Sequence, residues 1–293
     1  MTDMFTICDM LTDAIPRLQE AGVESARLDA EVLLAHVLGQ SRGWVWAHPE
    51  YAPPPEACGQ FAALLARRLR REPLAYVLGA WEFYGRSFTV TSDVLVPRPE
   101  TELLVEAVSA WARRRHARRL ADIGTGSGAI AVTLSLELPD AHILAVDLSS
   151  AALSVARRNA CQHGVDDRIC FYTGDLLQPL RAAGMPPLDA IVANLPYIAE
   201  EEYATLMPEV RDFEPALALR AAEGGLALIK RLIGTAPPQL AAEGLLALEL
   251  GTGQAETVRR LLRQQGWREI IIIDDYSGIP RHVTAIAPAI DKR

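Results

Sequence analysis

The stretch Asp122-Ile123-Gly124-Thr125-Gly126-Ser127-Gly128 reads as the joint between a β-strand and an α-helix, and it decides the fold. A short apolar strand over 119–123 runs into it, and a helix over 128–138 leaves it. Glycine at every second position lets the backbone turn tightly and approach a ligand closely. In open parallel sheets, ligands sit in the crevice at the carboxyl ends of the strands. Asp147 ends the next predicted strand, 143–147, 19 residues after Gly128. A carboxylate there can accept both ribose hydroxyls of an adenosine. A nicotinamide-binding fold puts an acid at the same spacing. The G-x-G-x-G order, and Asp122 placed to organise the loop or a methionine amino group, favour S-adenosylmethionine as the cofactor.

Working outward, further strands are predicted near 168–172, 189–194, 245–250, 269–274 and 282–287, with helices over 149–163, 224–241 and 254–265. Such alternation implies an α/β fold with a mainly parallel sheet covered on both faces. The last two strands have no helix between them and are expected to be antiparallel. Asp175, just after the third strand, is placed either to line an adenine pocket or to cap a turn.

Residues 1–75 differ in texture. Thr12 to Glu20 and Ala26 to Leu38 carry apolar residues at helical steps, with Gly22 and Gly39 as stops. Another helix begins at Pro55 and runs to about Arg71. From 76 to 97 the chain turns β-prone, with Gly85-Arg86 as the turn of a hairpin linker. Pro97-Arg98-Pro99-Glu100-Thr101 then launches a helix to about Arg115, so the third region is 98–293. Two arginine-rich runs, 67–71 and 113–119, read as solvated helix ends, although Arg71 can also face the linker. Trp44 and Trp46 read as core or interface residues, and His282 as an ordinary strand residue.

The chain has 293 residues, half of them hydrophobic, and a formal net charge of -8. That balance argues against a surface built wholly to grip nucleic acid. The cysteines, Cys8, Cys58, Cys161 and Cys170, form no C-x-x-C pair, so no metal site is expected and a reducing cytoplasmic setting is the default. The acidic start, Asp3, Asp9 and Asp13, is unlike a signal peptide, and no apolar run is long enough to span a membrane.

At the end of the apolar run 190–193 stands Asn194-Leu195-Pro196-Tyr197. An amide or aromatic amine is a poor nucleophile because its lone pair is delocalised. Asn194 Oδ1 and a backbone carbonyl, that of Leu195, can accept the two N–H bonds of an NH2 group. Pro196 stiffens the turn and donates no competing N–H. The Tyr197 ring can stack on the planar group and face a sulfonium. Alignment is then the main catalytic resource. These four residues are the catalytic candidates, and the reaction expected is methyl transfer to nitrogen.

The chain also resembles a known family, the HemK/PrmC-type peptide chain release factor glutamine methyltransferases. The likeness rests on residues 71–79, Glu82-Phe83-Tyr84-Gly85, Val94 to Glu102, Glu209-Val210 and Phe213 to Leu219, with Pro97 to Glu102 the most specific. It implies a Rossmann-like class I methyltransferase fold of seven strands behind a small helical domain. It implies a methyl transfer from S-adenosylmethionine to the glutamine of a Gly-Gly-Gln motif in release factors. It implies too that the helical domain docks that partner; the charge balance and the lack of a long apolar run add the expectation of no membrane and no direct nucleic-acid contact. The cofactor-binding candidates are Asp122, Gly124, Thr125, Gly126, Ser127, Gly128, Asp147, Leu148, Asp175, Leu176 and Asn194. Arg98 and Glu100 are candidates for shaping the pocket. Three positions depart from the family pattern. Leu195 replaces a proline, Ala221-Ala222 precede Glu223-Gly224-Gly225-Leu226 in place of a diglycine, and Leu176 replaces an aromatic residue. Asn-Leu-Pro-Tyr also occurs in adenine methyltransferases, so adenine N6 in RNA or DNA is the rival substrate. A non-catalytic nucleotide-binding module is the rival of another class.

Overall fold

The glycine joint lies at the centre of a seven-stranded sheet. The computed structural model describes residues 5–289. Strand β3 (Arg119–Ile123) is preceded by a two-stranded hairpin, β1 (Ala80–Phe83) and β2 (Arg86–Thr89). The large sheet continues with β4 (His142–Asp147), β5 (Ile169–Thr173), β6 (Leu188–Ala193), β7 (Leu240–Glu249), β8 (Arg268–Asp274) and β9 (Pro280–Ile286). Its order is β5-β4-β3-β6-β7-β9-β8. The first five strands in that order run parallel, and β9 is antiparallel to both β7 and β8. This is the mainly parallel sheet with an antiparallel end that the alternation predicts. Strand order reverses at β3, where Ile123 is in register with Val146 on one side and Ala193 on the other. A crevice opens at such a switch point.

Successive side chains on a strand point to opposite faces, and here both faces are buried. Ile123, Val146 and Ile191 pack with Ile229, Leu232, Val258 and Leu262, while Leu120, Ile143 and Val192 pack with Leu104, Val108, Ile130 and Leu134. The covering helices are α6 (Glu100–Arg115), α7 (Ala129–Glu137), α8 (Ser150–Gln162), α12 (Ala227–Thr235) and α13 (Ala255–Gln264). Between β5 and α12 lie the short α9 (Gln178–Ala182), α10 (Glu200–Tyr203) and α11 (Pro208–Phe213). The N-terminal residues form α1 (Ile7–Glu20), α2 (Ala26–Leu38), α3 (Arg42–Ala47), α4 (Pro55–Leu69) and α5 (Leu74–Leu78). Among the described residues, no helix is long and apolar enough to cross a membrane.

Four local expectations change. The helix predicted over 224–241 stops at Thr235, because Pro237 and Pro238 cannot continue it, and β7 starts at Leu240. The hairpin turns at Tyr84-Gly85, both with positive φ (53° and 67°), and Arg86 already belongs to β2. Two central residues with positive φ match the twist of the flanking strands. Residues 94–96 are not in a strand. Trp46 is 69% exposed and donates Nε1–H to Glu31, rather than joining the core.

The chain organises into two compact units. One comprises the residues up to Ala80 together with Met207–Phe213; the other comprises Trp81–Leu206 and the chain from Glu214 onward. In the first unit the arginines of α4 are not a solvated helix end. Arg68 pairs with Asp29 at 2.6 Å and with Glu209 at 2.9 Å, and Arg71 grips both oxygens of Glu209. Arg67 binds Glu72 and the carbonyls of Tyr76 and Val77. Charges this far from water need partners, and the planar guanidinium suits a bidentate carboxylate. The basic run at the end of α6 is more exposed, with Arg113 paired to Glu137.

Candidate active site

The glycine turn and the exit of β6 are neighbours because β3 and β6 are. The turn is pinned to the end of β4, with the N–H groups of Gly124 and Thr125 both donating to the Val146 carbonyl. Gly124 has a φ of 77°, and a Cβ there would lie 3.1 Å from Leu195 Cδ2 and 3.6 Å from the Asn194 carbonyl oxygen. The positive φ favours glycine, and an added Cβ would press on the Leu195 side chain. The adjacency demanded by the chemistry is thus present: the tetrapeptide begins where the loop turns.

Around this point lies an open cleft, lined by Gly124 to Ser127, Asp147, Leu148, Asp175, Leu176, Asn194, Leu195, Pro196, Arg98 and Thr101, among others. Asp122, Gly128, Tyr197 and Glu100 are not part of its wall. Asp122 is entirely buried and works on the loop instead. Its Oδ2 accepts from Thr125 Oγ1 at 2.6 Å and from the Ala131 N–H at 3.1 Å. Burial pushes its carboxyl up to about 7.

A raised carboxyl pKa has a testable consequence. The folded state holds this proton from the ordinary carboxylate range up to about 7, while the unfolded chain has released it. The associated stability is present at low pH and is lost as pH rises through about 7. Denaturant titrations should show Asp122 contributing a slope of up to about 1.4 kcal/mol per pH unit in that window. Asp122→Asn should flatten it, and an unchanged slope in that variant would show that other groups are responsible.

Asp147 sits at the end of β4, as its spacing predicts. Its Oδ2 accepts from the Gly126 N–H at 2.9 Å and its Oδ1 from the Ser149 N–H at 2.8 Å. Each oxygen keeps a second lone pair for a ligand hydroxyl. Burial raises its pKa, with the backbone donors of Ser149 and Gly126 pulling the other way. Asp175 lines the cleft and is also paired with Arg231 of α12. Arg98 is held by Glu214, whose other oxygen accepts the Val96 N–H at 3.1 Å.

Beyond the tetrapeptide, Ile198 forms a two-way backbone bridge with Leu219 and Ala221, and Gln254 Nε2 donates to the Tyr197 carbonyl at 2.9 Å. The side chains point to partners that sequence reasoning missed. Asn194 Nδ2 lies 3.2 Å from Thr101 Oγ1, which donates to Glu249 Oε2 at 2.6 Å, and the Tyr197 hydroxyl reaches Glu249 Oε1 at 3.3 Å. The available signal was a charged residue ending an apolar strand, the same signature that marked Asp147.

The family model described as PrmC N-terminal domain matches residues 9–79, and that described as Methyltransferase small domain matches residues 99–248. The release factor glutamine methyltransferase of Bordetella pertussis is 46% identical over 255 residues, covering 87% of this chain and 93% of its own length. Its counterpart in Geobacter sulfurreducens is 41% identical over 281 residues, covering 96% of each chain. Among solved structures, the N-terminal domain of human METTL16 in complex with SAH shares the fold. Its TM-score is 0.53 at 21% identity, over 71% of this chain and 77% of that one.

Proposed function

The chain belongs to the release factor glutamine methyltransferase family, and from that premise we propose how its residues carry out the reaction. The substrate is the side-chain amide of the glutamine in a release factor's Gly-Gly-Gln motif. The methyl donor is S-adenosylmethionine, and the helical unit docks the protein partner in the cytoplasm. The observation that carries this reading is the closeness of Gly124 to the start of the tetrapeptide: a Cβ built there would lie 3.6 Å from the Asn194 carbonyl oxygen and 3.1 Å from the Leu195 side chain, which sets a cofactor turn beside an amide-holding turn.

The lining residues suit the donor. Asp147 offers carboxylate lone pairs for ribose hydroxyls, the glycine turn leaves room for close approach, and Leu148, Leu176 and Ile130 give apolar surface for an adenine. When bound, S-adenosylmethionine supplies a methyl group activated by a positively charged sulfur. The protein's task is to orient the nucleophile. Asn194 Oδ1 and the Leu195 carbonyl accept the two N–H bonds of the glutamine amide, which fixes its plane and turns its nitrogen toward the cofactor turn. Loss of entropy on alignment is met in advance by the rigid strand exit. Pro196 keeps that exit stiff, so Leu195 in place of a second proline leaves the accepting carbonyl intact.

The decisive experiment is incubation with S-adenosylmethionine and an unmodified Gly-Gly-Gln release factor, read by peptide mass spectrometry. One added methyl group on that glutamine is expected, and none when the glutamine is replaced by alanine. Methylation of RNA or DNA in a parallel labelling assay, with the release factor untouched, would instead favour adenine as the substrate.

A further inference from the structure

We propose that Glu249 is a positioning residue which, through Thr101, sets the way the Asn194 carboxamide faces, so that its oxygen rather than its nitrogen meets the amide being methylated. This rests on the reading of Asn194 as the group that holds the substrate amide, and it explains how that asparagine is kept in its working orientation.

The three residues come from separate parts of the chain. Glu249 ends β7, Thr101 lies in the first turn of α6, and Asn194 is the first residue beyond β6. Glu249 is 1% exposed and Thr101 5% exposed, so water does not compete for either. A carboxylate has lone pairs and no proton to give. The Thr101 hydroxyl, 2.6 Å from Glu249 Oε2, therefore donates to it. That commits the only hydroxyl proton of Thr101 and leaves its oxygen to accept. The group it accepts from, at 3.2 Å, is Asn194 Nδ2. With Nδ2 committed to Thr101, Oδ1 is left for the substrate. Reversing the chain would require Glu249 to donate, and it would present Asn194 N–H groups to the substrate's own N–H groups.

Tyr197 supports the same polarity from the other oxygen. Its hydroxyl lies 3.3 Å from Glu249 Oε1, and burial, with the Glu249 charge acting in the same direction, pushes its pKa to about 12. It therefore remains a donor at any working pH. His282 approaches from β9, its Nε2 3.8 Å from Glu249 Oε2, and Arg281 faces the Tyr197 ring at 5.5 Å. Glu249 thus couples two members of the tetrapeptide through one buried carboxylate.

The test compares Thr101→Val, Thr101→Ser and Glu249→Gln with the unaltered protein, using a Gly-Gly-Gln release factor as substrate. Valine removes the hydroxyl at nearly constant shape, serine restores it, and glutamine at 249 permits the reversed chain. Thr101→Val and Glu249→Gln should each lower kcat by about 50-fold, the scale of one misdirected buried hydrogen bond. S-adenosylmethionine Kd by calorimetry should stay unchanged, while Tm falls in the valine variant, where a buried Glu249 oxygen loses its donor, and recovers in the serine variant. Thr101→Ser should recover most of the lost rate. Binding of a Gly-Gly-Gln peptide, measured by calorimetry, should weaken in parallel with kcat in the valine variant and recover in the serine variant. Equal rates for valine and serine at 101 would overturn the proposal, as would an unimpaired Glu249→Gln. If Glu249→Gln does not fold, the pair at 101 decides alone. Failure of the unaltered protein to methylate the release factor would refute the underlying function instead, so the two failures are distinguishable.

Discussion

Asn194→Ala is expected to lower kcat for methyl transfer by about 10³-fold while leaving the Kd for S-adenosylmethionine nearly unchanged. The substrate amide is a weak nucleophile, and its rate depends on being presented in line with the reacting methyl. Alanine removes the side-chain acceptor and frees Thr101 Oγ1 from its 3.2 Å contact, but leaves the Leu195 carbonyl in place. The remaining single acceptor lets the amide rotate. The glycine turn, Asp147 and the rest of the cleft wall are untouched, so cofactor binding is expected to persist. Stopped-flow or single-turnover rates together with calorimetry separate the two quantities. A proportional loss of cofactor affinity would show that Asn194 serves chiefly to hold the cofactor.

Gly225→Ala is expected to damage the site by a different route. Gly225 has a φ of 83°, and a Cβ there would fall 1.9 Å from the Tyr197 carbonyl oxygen and 2.7 Å from Gln254 Nε2. Both are fixed. Gln254 Nε2 donates to that same carbonyl at 2.9 Å, and its Oε1 accepts the Gly251 N–H at 2.9 Å. The added methyl must therefore displace the backbone that ends the tetrapeptide. A shift of about 1 Å at a substrate-positioning group can reduce kcat by about 10²-fold. The fold itself should lose about 3 kcal/mol, read from denaturant midpoints. Gly224→Ala is the control. It shares a positive φ, 64°, but a Cβ there meets nothing within 4 Å, so the cost should be about 1–2 kcal/mol with little change in kcat. Similar kinetic losses in both variants would show that backbone strain, not collision with Tyr197, governs the site.

What the sequence revealed and what it hid follow from the range of the interactions involved. Asp122 lies one residue before the end of β3 and Asp147 ends β4, so a short apolar run, a carboxylate and a glycine step were enough to find both. Helix α12 was overdrawn because its alanine-rich surroundings look helical, while the prolines at 237 and 238 set the true stop. Helices α3 and α5, of six and five residues, are too short to carry a periodic pattern. Arg98 was found from its place between two prolines, but its partner Glu214 is 116 residues away. Glu249 lies 148 residues from Thr101, and no local pattern announces that pair. Long-range pairing likewise made the arginines of α4 look solvated, since Glu209 follows Arg68 by 141 residues. Local chemistry was visible in one stretch of chain, whereas the groups that orient it were visible only in the fold.

The return of Met207–Phe213 to the N-terminal unit means that this unit is not encoded by one continuous stretch. A fragment ended at Ala80 would lack the carboxylate that Arg71 grips, and the complementary fragment would carry that carboxylate on a heptapeptide whose basic partners had been cut away. The two units are thus poor candidates for excision as interchangeable cassettes. Any grafting that exchanges the helical part between relatives has to carry the later heptapeptide with it.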